Sequence, residues 1–165
     1  MKYVDKTIDI ITILAKCLVA VALTVMLFVS FIEVVRRYFF SVSFPWGEES
    51  IRFLLVWVSF VGGAVAYKDG GLVLFSLLVN RFPKRVQAMI NLLTNTAILI
   101  FCVYMLRRAW VATFYSAISM QTAIGLGIPM KIPYTGISVG LALFIIYSLN
   151  NYRKLVPGIT GREGG

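Results

Sequence analysis

The side chains of this sequence that could do chemistry are mainly its carboxylates, because it holds seven Asp and Glu residues and no histidine. Glu33 precedes Arg36 and Arg37 by three and four residues, a spacing that brings opposite charges together on one helix face. A carboxylate inside a membrane is the default candidate for proton or ion coupling. Beside two arginines at a helix end, Glu33 instead favours a local ion pair, since charges are readily solvated there.

A second group of charges follows a proline and a tryptophan, at Glu48, Glu49 and Arg52. Pro45 suits the first turn of a helix, where its missing N–H is no loss. The two glutamates would then lie where the helix dipole favours negative charge, within three or four residues of Arg52. We predict that this group fixes helix geometry or docks a partner. The alternative is a solvated helix cap.

The absence of histidine excludes Ser-His-Asp and Cys-His catalysis as well as His-ligated haem and zinc. The two cysteines, Cys17 and Cys102, lie in apolar stretches without CxxC spacing, which indicates reduced thiols. We therefore predict no catalytic, cofactor-binding or metal site, and a protein that is not an enzyme.

Composition sets the class of protein. Of 165 residues, 59% are apolar and 14% are charged, whereas soluble domains are about 45–50% apolar and about 25% charged. So much apolar surface cannot be hidden in a soluble domain of this size. The composition excludes a soluble enzyme, a nucleic-acid-binding domain and a disordered chain, and it predicts an all-α integral membrane protein with membrane lipid around it. The net charge of +9 is then explained by basic residues that flank the spans, contact lipid headgroups and set the membrane topology.

Four apolar segments are long enough to cross a bilayer, which takes about 20 residues. We predict a single membrane domain over residues 1–165, with spans at 8–32, 45–67, 86–116 and 133–150. Lys16 within the first span is expected to snorkel to the headgroups. The apolar segment 72–82 is too short to span and predicts an interfacial amphipathic helix.

Small residues spaced four apart predict close helix packing on the second and fourth spans. The pairs are Ser59 with Gly63, Gly62 with Ala66, and Gly136 with Gly140. On the third span, Asn91 and Asn95 share a helix face, and we expect them to bond to another helix.

The distribution of basic residues predicts the orientation. Four spans put both ends of this sequence on one side of the membrane. That side holds nine basic residues: Lys2, Lys6, Lys68, Arg81, Lys84, Arg85, Arg153, Lys154 and Arg162. The other side holds six: Arg36, Arg37, Arg52, Arg107, Arg108 and Lys131. The positive-inside rule therefore predicts that both termini are cytoplasmic.

The stretch between Glu33 and Asp69 carries an ordered set of motifs. They are Arg37-Tyr38, the run Pro45-Trp46-Gly47-Glu48-Glu49, Arg52, Trp57, Gly62-Gly63 and Ala66. In this order, and with four spans, they resemble the small membrane subunit of tripartite ATP-independent periplasmic (TRAP) transporters, the DctQ type.

The resemblance implies an accessory or scaffold subunit in the bacterial inner membrane. A large M-type membrane subunit would carry the substrate and sodium sites, and a periplasmic substrate-binding protein would deliver an organic acid of the sialic acid or C4-dicarboxylate type. The residues expected at a subunit interface or in a structural role are Arg36, Arg37, Pro45, Trp46, Glu48, Glu49, Arg52, Gly62 and Gly63. The alternative is a self-sufficient four-span transporter that acts as a homodimer, with Glu33 as its coupling carboxylate.

Overall fold

The computed structural model describes residues 2–40, 45–70, 83–115 and 121–159 of the chain. They form four long α-helices: α1 (Lys2–Phe40), α2 (Pro45–Lys68), α3 (Lys84–Phe114) and α4 (Lys131–Ile159). Each helix contains a segment long and apolar enough to cross a membrane. The predicted all-α integral membrane class is thereby confirmed. The predicted interfacial helix at 72–82 lies outside the described residues.

The helices run beyond the apolar spans that the sequence marks. Helix α1 has 39 residues and is about 58 Å long, whereas the hydrocarbon layer is about 30 Å thick. Apolar content marks only the part in hydrocarbon, while backbone hydrogen bonding continues into the headgroups and water. Helix α4 begins two residues before Pro133, because the first turn of a helix does not need the proline N–H.

The helices pack in the order α1, α2, α4, α3, so that α2 lies between α1 and α4, and α4 lies between α2 and α3. One buried cluster joins Ala15 of α1 to Val61 and Val65 of α2. A second cluster joins Ile8, Ala64 and Tyr147, which come from α1, α2 and α4. The two outer helices expose many large apolar side chains, as expected of surfaces that face lipid or a partner.

Glycines of α4 set its distance from α2. A β-carbon at Gly140 would lie 2.5 Å from Cβ and 2.6 Å from the backbone carbonyl carbon of Phe60. One turn earlier, a β-carbon at Gly136 would lie 2.8 Å from the indole nitrogen of Trp57. The two backbones therefore approach through the Gly136 and Gly140 positions, in the manner of small-residue packing in membranes.

The two adjacent glycines of α2 face different neighbours with ordinary spacing. A β-carbon at Gly62 would lie 3.6 Å from Val19 of α1, and one at Gly63 would lie 3.5 Å from Phe144 of α4. Both positions thus take part in packing within the chain.

Candidate functional site

Glu49 anchors the loop that precedes α4. This half-buried glutamate lies near the start of α2, and its Oε2 accepts hydrogen bonds from the backbone N–H groups of Gly125 and Leu126, at 2.9 and 3.0 Å. Hydrogen bonds to an ionised carboxylate are stronger than those between neutral groups. The carboxylate therefore holds this loop against the start of α2.

The anchored loop is itself ordered by backbone bonds. Ala123 donates its N–H to the carbonyl of Ile128 at 2.9 Å, and Gly127 donates to the carbonyl of Ala123 at 2.8 Å. Gly127 has φ of +63°, a conformation that glycine adopts without steric penalty. The tip residue Ile124 is 97% exposed, so this tight turn presents an apolar side chain at one end of the bundle.

Gly125 lets the loop sit directly on the motif that begins α2. A β-carbon at this position would lie 2.7 Å from the carbonyl carbon of Pro45 and 2.7 Å from the nitrogen of Trp46. Backbone atoms cannot rotate away as a side chain can, so the site requires glycine. The loop thus packs against the backbone of Pro45 and Trp46, and Glu49 accepts its hydrogen bonds.

Glu48 and Arg52 form an exposed pair, with 3.5 Å between Oε2 and Nη2. Exposed pairs of this kind contribute about 0–1 kcal/mol. The two adjacent glutamates therefore have different partners: Glu48 contacts Arg52 on its own helix, and Glu49 contacts the loop before α4.

Glu33 comes to the same end of the bundle from α1. A β-carbon at the buried Gly47 would lie 3.1 Å from Oε2 of Glu33, so the absence of a side chain at position 47 makes room for this carboxylate. The first turn of α2 offers positive dipole potential to a carboxylate there. Beyond it, Arg36 is half-buried and Arg37 is exposed.

We expect Glu49→Ala to loosen the loop before α4 and to lower the free energy of unfolding by about 1–3 kcal/mol, since it removes two charge-assisted hydrogen bonds. Glu49→Gln keeps one neutral acceptor and should be intermediate. Hydrogen exchange at the Gly125 and Leu126 amides, measured in detergent micelles, reports the loss directly. The matched control is Glu48→Ala, which should leave both amides protected. Equal exchange in the two alanine variants would contradict the anchor.

A second polar cluster lies at the opposite end of the bundle. The Nζ of Lys68, whose side chain is 20% exposed, donates at 2.8 Å to Oδ1 of Asp9 and at 2.8 Å to the hydroxyl of Thr12. The Thr12 hydroxyl lies 3.1 Å from the hydroxyl of Tyr147. The end of α2 is thereby tied to both α1 and α4.

Lys16 contributes a further ion pair at this end. Its Nζ lies 2.7 Å from Oδ2 of Asp69, and its snorkelling to headgroups stays a prediction. Both side chains are about half exposed. Lys16, a charged residue within the first apolar span, thus links α1 to the residue that directly follows α2.

Asn95 is the centre of a hydrogen-bond network between α2, α3 and α4, and it is 2% exposed. Its side-chain oxygen accepts from the hydroxyl of Tyr67, from Ser148 at 3.1 Å and from Asn151 at 3.4 Å. Its amide nitrogen donates to the carbonyl of Ser148 at 3.2 Å. The expected interhelical bonding is found for Asn95, whereas Asn91 is exposed.

Sequence reasoning missed the Lys68 and Lys16 contacts because each joins residues more than 50 positions apart. The signal that could have indicated them lies in α1, where four polar residues recur at helical spacing and share one face: Asp5, Asp9, Thr12 and Lys16. In the part of the chain that the structure describes, every buried side-chain nitrogen or oxygen has a hydrogen-bond partner. These polar groups join helices and loops to one another.

A family profile described as tripartite ATP-independent periplasmic transporters, DctQ component, matches residues 26–158. Two proteins of Haemophilus influenzae named as TRAP transporter small permease proteins are similar to this chain. One is 29% identical over 109 residues, which cover 66% of this chain and 63% of that protein. The other is 25% identical over 137 residues, which cover 83% and 72%.

A third relative is the isethionate TRAP transporter permease protein DctMQ of Oleidesulfovibrio alaskensis, 24% identical over 106 residues, which cover 64% of this chain and 17% of that protein. The chain spans less than two thirds of the length of the first relative. Together with four described helices that are long and apolar enough to cross a membrane, the family match indicates a multi-pass inner-membrane protein. The chain belongs to the DctQ family of TRAP transporter components, which are transporter subunits and not enzymes.

Proposed function

We propose that this chain is the small scaffold subunit of a TRAP transporter, that it pairs with a large M-type membrane subunit, and that a periplasmic binding protein delivers the substrate to the complex. The observation that carries this proposal is the placement of charge. In the described helices, the central segments 17–32, 53–67, 86–106 and 132–152 hold no Asp, Glu, Lys or Arg. The charged residues lie toward the helix ends. There, Lys68 and Lys16 join helices, and Glu49 holds the loop before α4.

The large subunit as a partner is supported by one relative and by the exposed surface. The Oleidesulfovibrio alaskensis relative is named DctMQ, and the part similar to this chain covers 17% of it. The outer helices α1 and α3 expose apolar side chains along much of their lengths, Phe28, Phe31, Leu93 and Phe101 among them. Such faces suit either lipid or the helices of a larger membrane protein.

We propose that the substrate is an organic acid, of the sialic acid or C4-dicarboxylate type, imported with sodium. One relative carries the name of isethionate, which is an organic acid anion. The substrate and sodium sites would lie in the large subunit, which agrees with uncharged central segments in this chain.

Reconstitution by omission tests the proposal. Proteoliposomes that contain this chain, the large subunit and the binding protein should take up the organic acid with sodium, whereas liposomes with this chain alone should not. Leaving this chain out should abolish uptake or strongly lower it. Sodium-driven uptake by this chain alone, reduced by Glu33→Gln, would contradict the proposal and support the homodimeric alternative.

The proposed orientation places both termini in the cytoplasm and the Ile124 loop in the periplasm. In a background in which Cys17 and Cys102 are replaced by alanine, Ile124→Cys should react with a membrane-impermeant maleimide once the outer membrane is permeabilised. The control is Asp5→Cys in the first turn of α1, which should react only after the inner membrane is broken. The reverse pattern would overturn the orientation.

A further inference from the structure

An open apolar groove runs between α2 and α3, and α4 forms its floor. It consists of two cavities of about 590 and 340 Å³. They share Phe60, Phe101 and Leu141 and are therefore continuous. The first cavity reaches Ala97 on α3 and Tyr67 near the end of α2, and the second reaches Tyr134 near the start of α4.

Among the described residues, one arginine lines this groove, at the end near the start of α4. Arg108 lies in the wall of the second cavity, and its guanidinium carbon is 5.5 Å from the centre of the Tyr104 ring. Its Nε donates to the Tyr104 hydroxyl at 3.3 Å. An arginine has five N–H donors, so this contact orients the guanidinium while four donors remain for an anion.

On α3, the groove lining below Arg108 extends over about the thickness of one leaflet of a bilayer. Eleven residues separate Arg108 from Ala97 on α3, a rise of about 16 Å, and half of the hydrocarbon layer is about 15 Å. A spanning helix would need apolar surface over about 30 Å. At the inner end of the groove, Tyr67 already donates its hydroxyl to Asn95.

We propose that this groove binds one phospholipid, with its phosphate on the Arg108 guanidinium and an acyl chain between α2 and α3. Arg108 lies two residues beyond the uncharged segment 86–106 of α3 and offers a cation to the phosphate, while the apolar lining below it on α3 offers a surface to the acyl chain. Tyr104 acts as the positioning residue for the guanidinium. Arg107 and Arg108 are both exposed, and Arg107 does not line either cavity.

Native mass spectrometry of the full-length chain, purified in mild detergent, tests the phosphate contact. Arg108→Gln should lower the fraction of chain that retains a phospholipid about tenfold, since it removes a charge-assisted contact. Arg107→Gln removes the same charge from the same turn of α3 and should leave retention unchanged. Equal loss in both variants would show a non-specific charge effect and overturn the proposal.

A second pair of variants tests the acyl-chain channel. Ala109→Phe would fill the second cavity beside Arg108, while Val111→Phe would place the same aromatic side chain on an exposed face outside the groove. Only Ala109→Phe should lose the phospholipid, and the thermal unfolding midpoint of each variant shows that it is folded. Retention by Ala109→Phe would overturn the site.

Cross-linking in the assembled complex distinguishes a lipid from a protein helix in the groove. A photoreactive amino acid at position 109, in the chain co-expressed with the large subunit, should cross-link to phospholipid. Cross-links to the large subunit along the groove would instead show a protein helix there and would overturn the proposal.

Discussion

Gly140→Ala should lower the free energy of unfolding by about 1–3 kcal/mol, the usual range for an overpacked contact. The added methyl group would lie 2.5 Å from Cβ and 2.6 Å from the carbonyl carbon of Phe60. Neither atom can rotate out of the way, so α2 and α4 would have to separate. This effect opposes a gain of about 1 kcal/mol in helix propensity, since alanine favours a helix over glycine.

Gly62→Ala is the matched control because it makes the same change on the facing helix of the bundle. A β-carbon there would meet Val19 at 3.6 Å, which is ordinary van der Waals contact. This variant should be neutral or slightly stabilised in thermal unfolding in detergent, while Gly140→Ala should unfold at a lower temperature. Equal midpoints would contradict the close approach of α2 and α4.

Asn95→Leu should be the second strongly destabilised variant. Leucine has a similar size but can neither accept from Tyr67, Ser148 and Asn151 nor donate to the Ser148 carbonyl. The Ser148 side chain is fully buried and would keep only its longer bond of 3.4 Å to the backbone carbonyl of residue 95, while the Tyr67 hydroxyl would lose its acceptor. Lost hydrogen bonds of buried polar groups cost about 1–3 kcal/mol. The expected result is lower thermal stability and weaker association of α3 with α4.

Asn91→Leu provides the comparison, since it removes the same side chain one turn earlier on the same helix. Asn91 is exposed, so its replacement should leave stability unchanged or raise it in a lipid environment. If both asparagine variants lost stability equally, the network around Asn95 would not be what holds the three helices.

The helices follow from the sequence because hydrophobic length and turn residues are local properties. Pro45 marks the start of α2, and the glycines at 136 and 140 mark the face of α4 that approaches another helix. A periodic pattern does not say which helix that partner is. The structure assigns Trp57 and Phe60 of α2 to this face.

The site was only partly predictable, because its contacts join distant parts of the chain. Local spacing indicates the charged group at 48, 49 and 52 and accounts for the contact of Glu48 with Arg52. The partners of Glu49 are 76 and 77 residues away, and no local pattern connects a helix start to a glycine turn that far along the chain. Helical spacing predicts interhelical hydrogen bonds equally for Asn91 and Asn95. In the structure Asn95 is buried and forms them, whereas Asn91 is exposed.

We propose that the carboxylates of this chain hold its structure and do not couple sodium to transport. The most direct test measures the sodium dependence of organic-acid uptake by the reconstituted complex carrying Glu33→Gln or Glu49→Gln in this chain. The account predicts a lower yield of complex or a lower rate, with the number of sodium ions per substrate unchanged. A changed sodium stoichiometry in either variant would place that carboxylate in the coupling mechanism and contradict the account.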